Sequence, residues 1–217
     1  MKKLEINIPL TSVTLKGDLG IPENAIGIVV FSHGSGSSRL SPRNRMVAEQ
    51  LQKQNIGTLL FDLLTVEEDE VYRNRFNIDL LAGRLIETTE WLMKYSYVKN
   101  MPIGYFGAST GAASALRAAA YFGNQIQSVV SRGGRPDLAL GVLHQVTAPT
   151  LLIVGGMDVP IIEINKIAFD ELEAIKEMKI VSDASHLFEE PEKLIEVANL
   201  AAVWYKKHLV KNKELAT

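Results

Sequence analysis

The run Gly107-Ala108-Ser109-Thr110-Gly111 sets a hydroxyl between two glycines, directly after the strand-like Ile103–Phe106 and directly before the alanine-rich, helix-forming 112–120. A serine at such a strand–turn–helix junction stands clear of the sheet, where its hydroxyl can attack a carbonyl carbon. The glycines serve geometry: a side chain at either position would clash in so tight a turn, and the strain of the turn pushes the Ser109 hydroxyl outward. The adjoining helix N-terminus favours negative charge there. Taken alone, the same five residues also suit a plain glycine-rich turn or a phosphate cradle.

A serine nucleophile needs a base, and the base needs an orienting acid. The apolar run ending at Val154 is followed by Gly155-Gly156-Met157-Asp158, and the one ending at Val181 by Ser182-Asp183-Ala184-Ser185-His186. The chain order Ser109, Asp158, His186 is the order this chemistry takes on an α/β frame. All three residues follow strand ends, so they project to one edge. In that arrangement His186 accepts the serine proton and returns it to the leaving group, while Asp158 fixes the imidazole tautomer. Of the other histidines, His33 belongs to an earlier loop, His144 to a short helix and His208 to the lysine-rich end of the last helix. The plain alternative for His186 is a loop histidine bonded to Glu189. A metal held by His186 and Glu189 is not expected, because no second histidine or thiol is near. Asp62 and Asp137 compete with Asp158 for the acid, although Asp137, after Pro136, better suits a helix N-terminus.

Acyl transfer places negative charge on the former carbonyl oxygen, and two backbone N–H groups should meet it, each worth about 3 kcal/mol. One is expected from Thr110. The other is expected from Phe31-Ser32-His33-Gly34-Ser35-Gly36, with Ser35 N–H as the donor. A Gly/Ser-rich turn is the simpler use of that segment.

The frame that must position these residues is legible in the patterning. Leu4, Ile6 and Ile8, then Val13, Leu15 and Leu19, alternate as in two half-buried antiparallel strands. The continuous apolar run 26–31 reads as a strand buried on both faces and 57–61 as another buried strand, while 103–106, 126–130, 150–154 and 178–181 read as further strands. Helical patterns fall at about 44–54, 77–95, 112–120, 137–145, 161–174 and from Pro191 to His208, with Pro191 in the first turn. Alternating strands and helices build an α/β domain, a mostly parallel sheet of about eight strands with helices on both faces. A single domain over residues 1–217 is expected, with no large cap. Residues 63–76, with Glu67-Glu68-Asp69-Glu70 and two arginines, are the least regular stretch and the candidate mobile loop or small lid.

Composition narrows the classes further. The chain has 217 residues, 47% hydrophobic and 22% charged, which suits one packed domain rather than a disordered chain. A net charge of −2 argues against nucleic acid held by bulk charge. The absence of cysteine excludes a disulfide framework and a thiolate nucleophile. No apolar stretch reaches the ~20 residues of a membrane helix, and the N-terminus lacks the apolar core of a secretory signal. A cytoplasmic protein, monomer or homodimer, is expected. The nine arginines all lie between residues 39 and 135, most of them in segments leaving the candidate catalytic edge. Arg39, Arg43, Arg132 and Arg135 are expected to bind an anionic substrate, salt bridges to Glu67–Glu70 being an equally simple use of the arginines.

Together, the segments Val29–Gly36, Gly107–Gly111, Gly155–Asp158 and Ser185–Pro191 resemble the α/β-hydrolase superfamily, and within it the dienelactone-hydrolase-like branch. The stretches Ser37–Asn44 and Ser131–Asp137 are similar to a group of small hydrolases sometimes fused to phosphoribosyltransferase domains, although no such domain is expected on this chain. The resemblance spans essentially the whole chain. It implies a cofactor-free hydrolase acting on esters, thioesters or lactones of small acids. Dienelactone hydrolases proper use a cysteine nucleophile; Ser109 stands at that point here, so the resemblance does not extend to dienelactone as substrate. A non-hydrolytic binding or regulatory module on the same fold is the alternative.

Overall fold

The computed structural model describes residues 1–209. Eight strands form one sheet in the order β1-β2-β4-β3-β5-β6-β7-β8. β1 (Lys2–Pro9) and β2 (Thr14–Ile21) pair antiparallel, with Leu4 opposite Leu19 and Ile8 opposite Leu15, so the alternating residues share one buried face. β2 runs antiparallel to β4 (Gly57–Phe61), and from there the sheet is parallel through β3 (Ile28–Ser32), β5 (Ile103–Ala108), β6 (Ile126–Arg132), β7 (Thr150–Gly155) and β8 (Lys176–Val181). Every residue of β3, β4, β5 and β7 is buried, which explains their unbroken apolar runs. Putting the parallel strands in the middle sends their carboxyl ends, and the loops that follow them, to one edge.

Helices cover both faces. α1 (Pro42–Lys53) starts with Ser41 as its cap, the hydroxyl accepting from Asn44 N–H, and with Pro42 in the first turn. It packs on one face with α6 (Lys193–His208), around Val47, Leu51, Ala198 and Tyr205. α3 (Ile78–Lys94) and α4 (Thr110–Phe122) pack on the other, where Ala113, Ala115, Ala118 and Ala119 of α4 are fully buried. Small side chains let that helix sit close on the sheet. α5 (Val159–Glu171) follows β7, and a run of 3-10 turns over Pro136–Gln145 follows β6.

Two expectations change. Residues 63–76 are regular: α2 (Val66–Glu70) and a 3-10 turn (Tyr72–Phe76). Thr65 and Glu68 cap each other's backbone N–H, Arg75 grips Asp69, and the buried Arg84 holds Glu68 at 2.6 Å. The last helix begins at Lys193 rather than Pro191, because Glu192, its cap residue, takes a left-handed φ of 64° that a helix interior does not accept. Among the described residues, no helix is long and apolar enough to cross a membrane.

Candidate active site

Ser109 lies between β5 and α4 with φ 51° and ψ −123°, a conformation that costs a non-glycine residue about 1–3 kcal/mol. The strain is held by its surroundings. Ser109 N–H donates to Arg132 O at 3.1 Å, and Ser109 O accepts from Ala112 N–H and Arg135 N–H. The two flanking glycines are required by close approach. A Cβ on Gly107 would lie 2.4 Å from Ala112 Cα, and one on Gly111 would lie 2.1 Å from Ser32 O.

His186 and Asp158 meet across two loops, Nδ1 to Oδ2 at 2.6 Å. The rival assignments resolve against them. Glu189 is taken by Arg43 at 2.9 Å, Asp137 by a two-pronged bond from Arg135, and Asp62 by Arg39. Asp158 ends the β7 turn at the cap position of α5 and is well covered, whereas His186 is part-exposed. Two residues not singled out from sequence seat this loop. Gly133, at φ 52°, leaves room for the His186 ring, which would lie 3.5 Å from a Cβ there. Glu190 accepts Ser185 N–H at 3.0 Å, and hydrogen bonding to the Ser185 side chain and then to its backbone holds the carboxyl below the usual carboxylate range. Glu190 sits five residues from its partner with no motif to announce it. Ser109 Oγ and His186 are not hydrogen-bonded to each other; the fold joins His186 to Asp158 and leaves the Ser109 hydroxyl unpaired with the imidazole. Such contacts are commonly loose before substrate arrives.

The loop after β3 crosses over the serine: a Cβ on Gly34 would sit 3.1 Å from Ser109 Cβ. Ser35 N–H, the expected oxyanion donor, is engaged by Thr110 Oγ1 at 2.8 Å. His33 anchors the loop from beneath. Leu63 N–H donates to its Nε2 at 3.1 Å, so Nδ1 carries the proton and donates to Gly34 O at 3.0 Å. Burial pushes the His33 imidazole below its ordinary pKa, against smaller raising effects of Gly34, Asp62 and Asp69. The folded protein thus keeps His33 neutral, while the unfolded chain takes a proton below about pH 6.5. Stability from this group is complete above that pH and falls as pH drops toward and through the lowered folded value. A His33→Gln variant retains an acceptor and a donor without titrating. The wild-type melting temperature is expected to fall relative to that of the variant between about pH 7 and pH 5; parallel curves would refute the assignment.

The four arginines do not form a free cationic rim. Arg39 is committed to Asp62, Asp18 and Glu5, Arg135 to Asp137, and Arg43 to Glu189. Among the described residues, Arg132 alone of the four has no carboxylate partner. The acidic run does take up arginines, but they are Arg75 and Arg84. Among the described residues, no cluster of three histidines or carboxylates gathers to hold a metal.

Comparison with known proteins places this geometry. The structure matches a dienelactone hydrolase from Anabaena variabilis at 51% identity, over 96% of this chain and 98% of that one, with a TM-score of 0.93. The chain belongs to the α/β-hydrolase superfamily, in its dienelactone-hydrolase-like branch. Family membership supports hydrolase activity. Est1E from Butyrivibrio proteoclasticus, 13% identical over 94% of this chain and 98% of that one with a TM-score of 0.80, shares the α/β-hydrolase fold. No family model matches the chain. A Mycobacterium tuberculosis protein with the provisional name phosphoribosyl transferase is 51% identical over 205 residues. The match spans 94% of this chain but only 46% of that relative, so the name describes a protein about twice as long.

Proposed function

We propose that this protein hydrolyses carboxylic esters, thioesters or lactones of small acids through an acyl-enzyme on Ser109. The observation that carries the reading is the 2.6 Å His186–Asp158 hydrogen bond on the same sheet edge as a serine held at φ 51°. His186 Nε2 takes the hydroxyl proton as Ser109 Oγ attacks the carbonyl carbon. The tetrahedral oxyanion is met by Thr110 N–H and Ser35 N–H. Collapse breaks the bond to the leaving alcohol or thiol, which takes the proton from His186. Water, activated by the same base, then releases the acid. Asp158 keeps the imidazole in the tautomer that accepts at Nε2 and stabilises its protonated form.

Two further features shape the reading. The insertion at the catalytic edge amounts to a five-residue helix and a single 3-10 turn, which favours small substrates over long lipids. A negatively charged substrate group, if one is used, is received by Arg132 rather than by Arg39, Arg43 or Arg135, whose charges are already matched. The reading also requires the oxyanion to displace the Thr110 hydroxyl from Ser35 N–H. A Thr110→Val variant leaves that donor free, so kcat is expected to hold or rise severalfold; a hundredfold loss would show instead that the hydroxyl is needed to shape the loop.

A fluorophosphonate probe is expected to label the wild type at Ser109, and a panel of p-nitrophenyl esters and thioesters is expected to show turnover. Binding of esters without labelling or turnover would favour a non-hydrolytic module instead.

A further inference from the structure

Arg132 closes β6 opposite Ala108, one residue before the nucleophile turn. Side chains alternate across a strand, so Arg132 faces the same way as Val130, into the core beneath α1 and α6. Ser131 faces the opposite way, toward Ala112 of α4. The guanidinium therefore lies across the sheet from the nucleophile helix. Its neighbours are Asn44 in the first turn of α1 and the Phe188 ring, 5.9 Å away on the His186 loop.

What surrounds that charge is unusual. Among the described residues, seven of the nine arginines have a carboxylate within 4 Å. The two without are Arg73, which is exposed, and Arg132, which is 6% exposed. Arg132 makes one long hydrogen bond, Nη2 to Asn44 Oδ1 at 3.5 Å, and its Nε has no partner. Burial, and then the charge of Arg43, push its pKa down to about 10, so it remains a cation at neutral pH. A buried cation without a counter-ion is strongly unfavourable, and such charges are paired or ligand-bound when they persist. The local field adds to the imbalance. The first turn of α1 carries no acidic residue, so its positive end is also uncompensated. A cavity of about 290 Å³ lined by Arg43 and Phe188 lies beside the site. The carboxylates at that cavity are occupied, Glu189 by Arg43 and Glu190 by Ser185 N–H, while Glu192 lies at its rim.

We propose that Arg132, Arg43 and the first turn of α1 form a binding site for an oxyanion group, a carboxylate or a phosphate. Arg132 supplies adjacent Nε and Nη donors, the fork that matches two oxygens of such a group. Arg43 supplies the second charge by releasing Glu189. The bound group links α1, which follows the oxyanion loop, to the loop that carries His186. The site stands on burial and charge alone and does not require the chemistry assigned to Ser109.

The test is anion binding by the resting protein, so its failure and failure of the serine mechanism are separately visible. Melting is followed in inorganic phosphate and in acetate against chloride at matched ionic strength. A saturable rise of roughly 5–10 °C at a hundredfold excess over Kd is expected for the wild type with at least one of the two oxyanions. Arg135→Gln is expected to retain the rise and Arg132→Gln to lose it. Asn44→Asp, which brings a carboxylate to Arg132 from within, is expected to lose it too while melting higher than the wild type in chloride. A kinetic arm separates the sources of the anion. Phosphate competing with a carboxylate-bearing ester but not with a neutral one assigns the site to the substrate; phosphate binding that leaves both unaffected, or changes both alike, assigns it to a free anion. No saturable rise in either oxyanion, or the same rise in Arg132→Gln and Asn44→Asp, would overturn the proposal.

Discussion

Replacing Ser109 by alanine is expected to lower kcat toward a p-nitrophenyl ester by about 10⁵–10⁶ and to abolish fluorophosphonate labelling, with KM little changed. The size of the loss follows from the proposed route. Without Oγ no acyl-enzyme forms, and the base has nothing to activate except water in the wrong place. Asp158→Asn is expected to cost about 10⁴, because an amide opposite Nδ1 favours the tautomer that cannot accept at Nε2. Neither change should weaken the fold, which gives an internal control. Alanine inherits the φ of 51° and its strain, whereas glycine does not. Ser109→Gly should therefore be as inactive as Ser109→Ala yet more stable by about 1 kcal/mol or more. Turnover of the alanine variant within tenfold of wild type would remove Ser109 from the mechanism.

Gly111→Ala should be the most damaging single methyl addition at the elbow. Elsewhere in a helix that change stabilises by about 1 kcal/mol. At position 111 the new Cβ meets Ser32 O at 2.1 Å and His33 O at 2.6 Å, both backbone atoms where β3 runs into its loop. Neither can rotate away, so either α4 lifts from the sheet or the end of β3 moves. A cost of about 3–4 kcal/mol and a fall in melting temperature of roughly 10 °C are expected. Activity should fall as well, since the displaced carbonyls belong to the segment that leads to Gly34 and Ser35. Gly83, inside α3 with nothing within 4 Å of its missing Cβ, is the matched control. Gly83→Ala should stabilise. Equal effects at the two positions would mean that the elbow is not held by backbone approach.

Helix capping carries information that hydrophobic periodicity does not. Thr65-Val66-Glu67-Glu68 is a capping-box pattern, and it starts α2 inside a stretch expected to be irregular. Pro191 shows the reverse: a favourable first-turn residue lies before the helix because Glu192 turns the chain into the left-handed region. The elbow, the antiparallel start and the alternation of strands and helices depend on neighbours a few residues apart, through sterics and hydrophobic period, and were legible. So were the candidates Ser109, Asp158 and His186, because a residue just past a strand end must project from the sheet edge.

The pairing of those candidates was not legible. Asp62, Asp137 and Asp158 all follow parallel strands, and only the packing of loops 28 residues apart gave His186 to Asp158 while arginines took the other two. The same holds for the arginines. Their types and positions marked them as anion binders, but ion pairs form between side chains that folding brings within 4 Å, irrespective of separation along the chain. Arg43 meets Glu189 across 146 residues. Sequence thus determined the kind of frame and the chemical groups at its edge, since these follow from local geometry and burial. Tertiary structure alone decided which charges cancel and that Arg132 is left without a counter-ion among the described residues, since electrostatic matching depends on distances between segments remote in sequence.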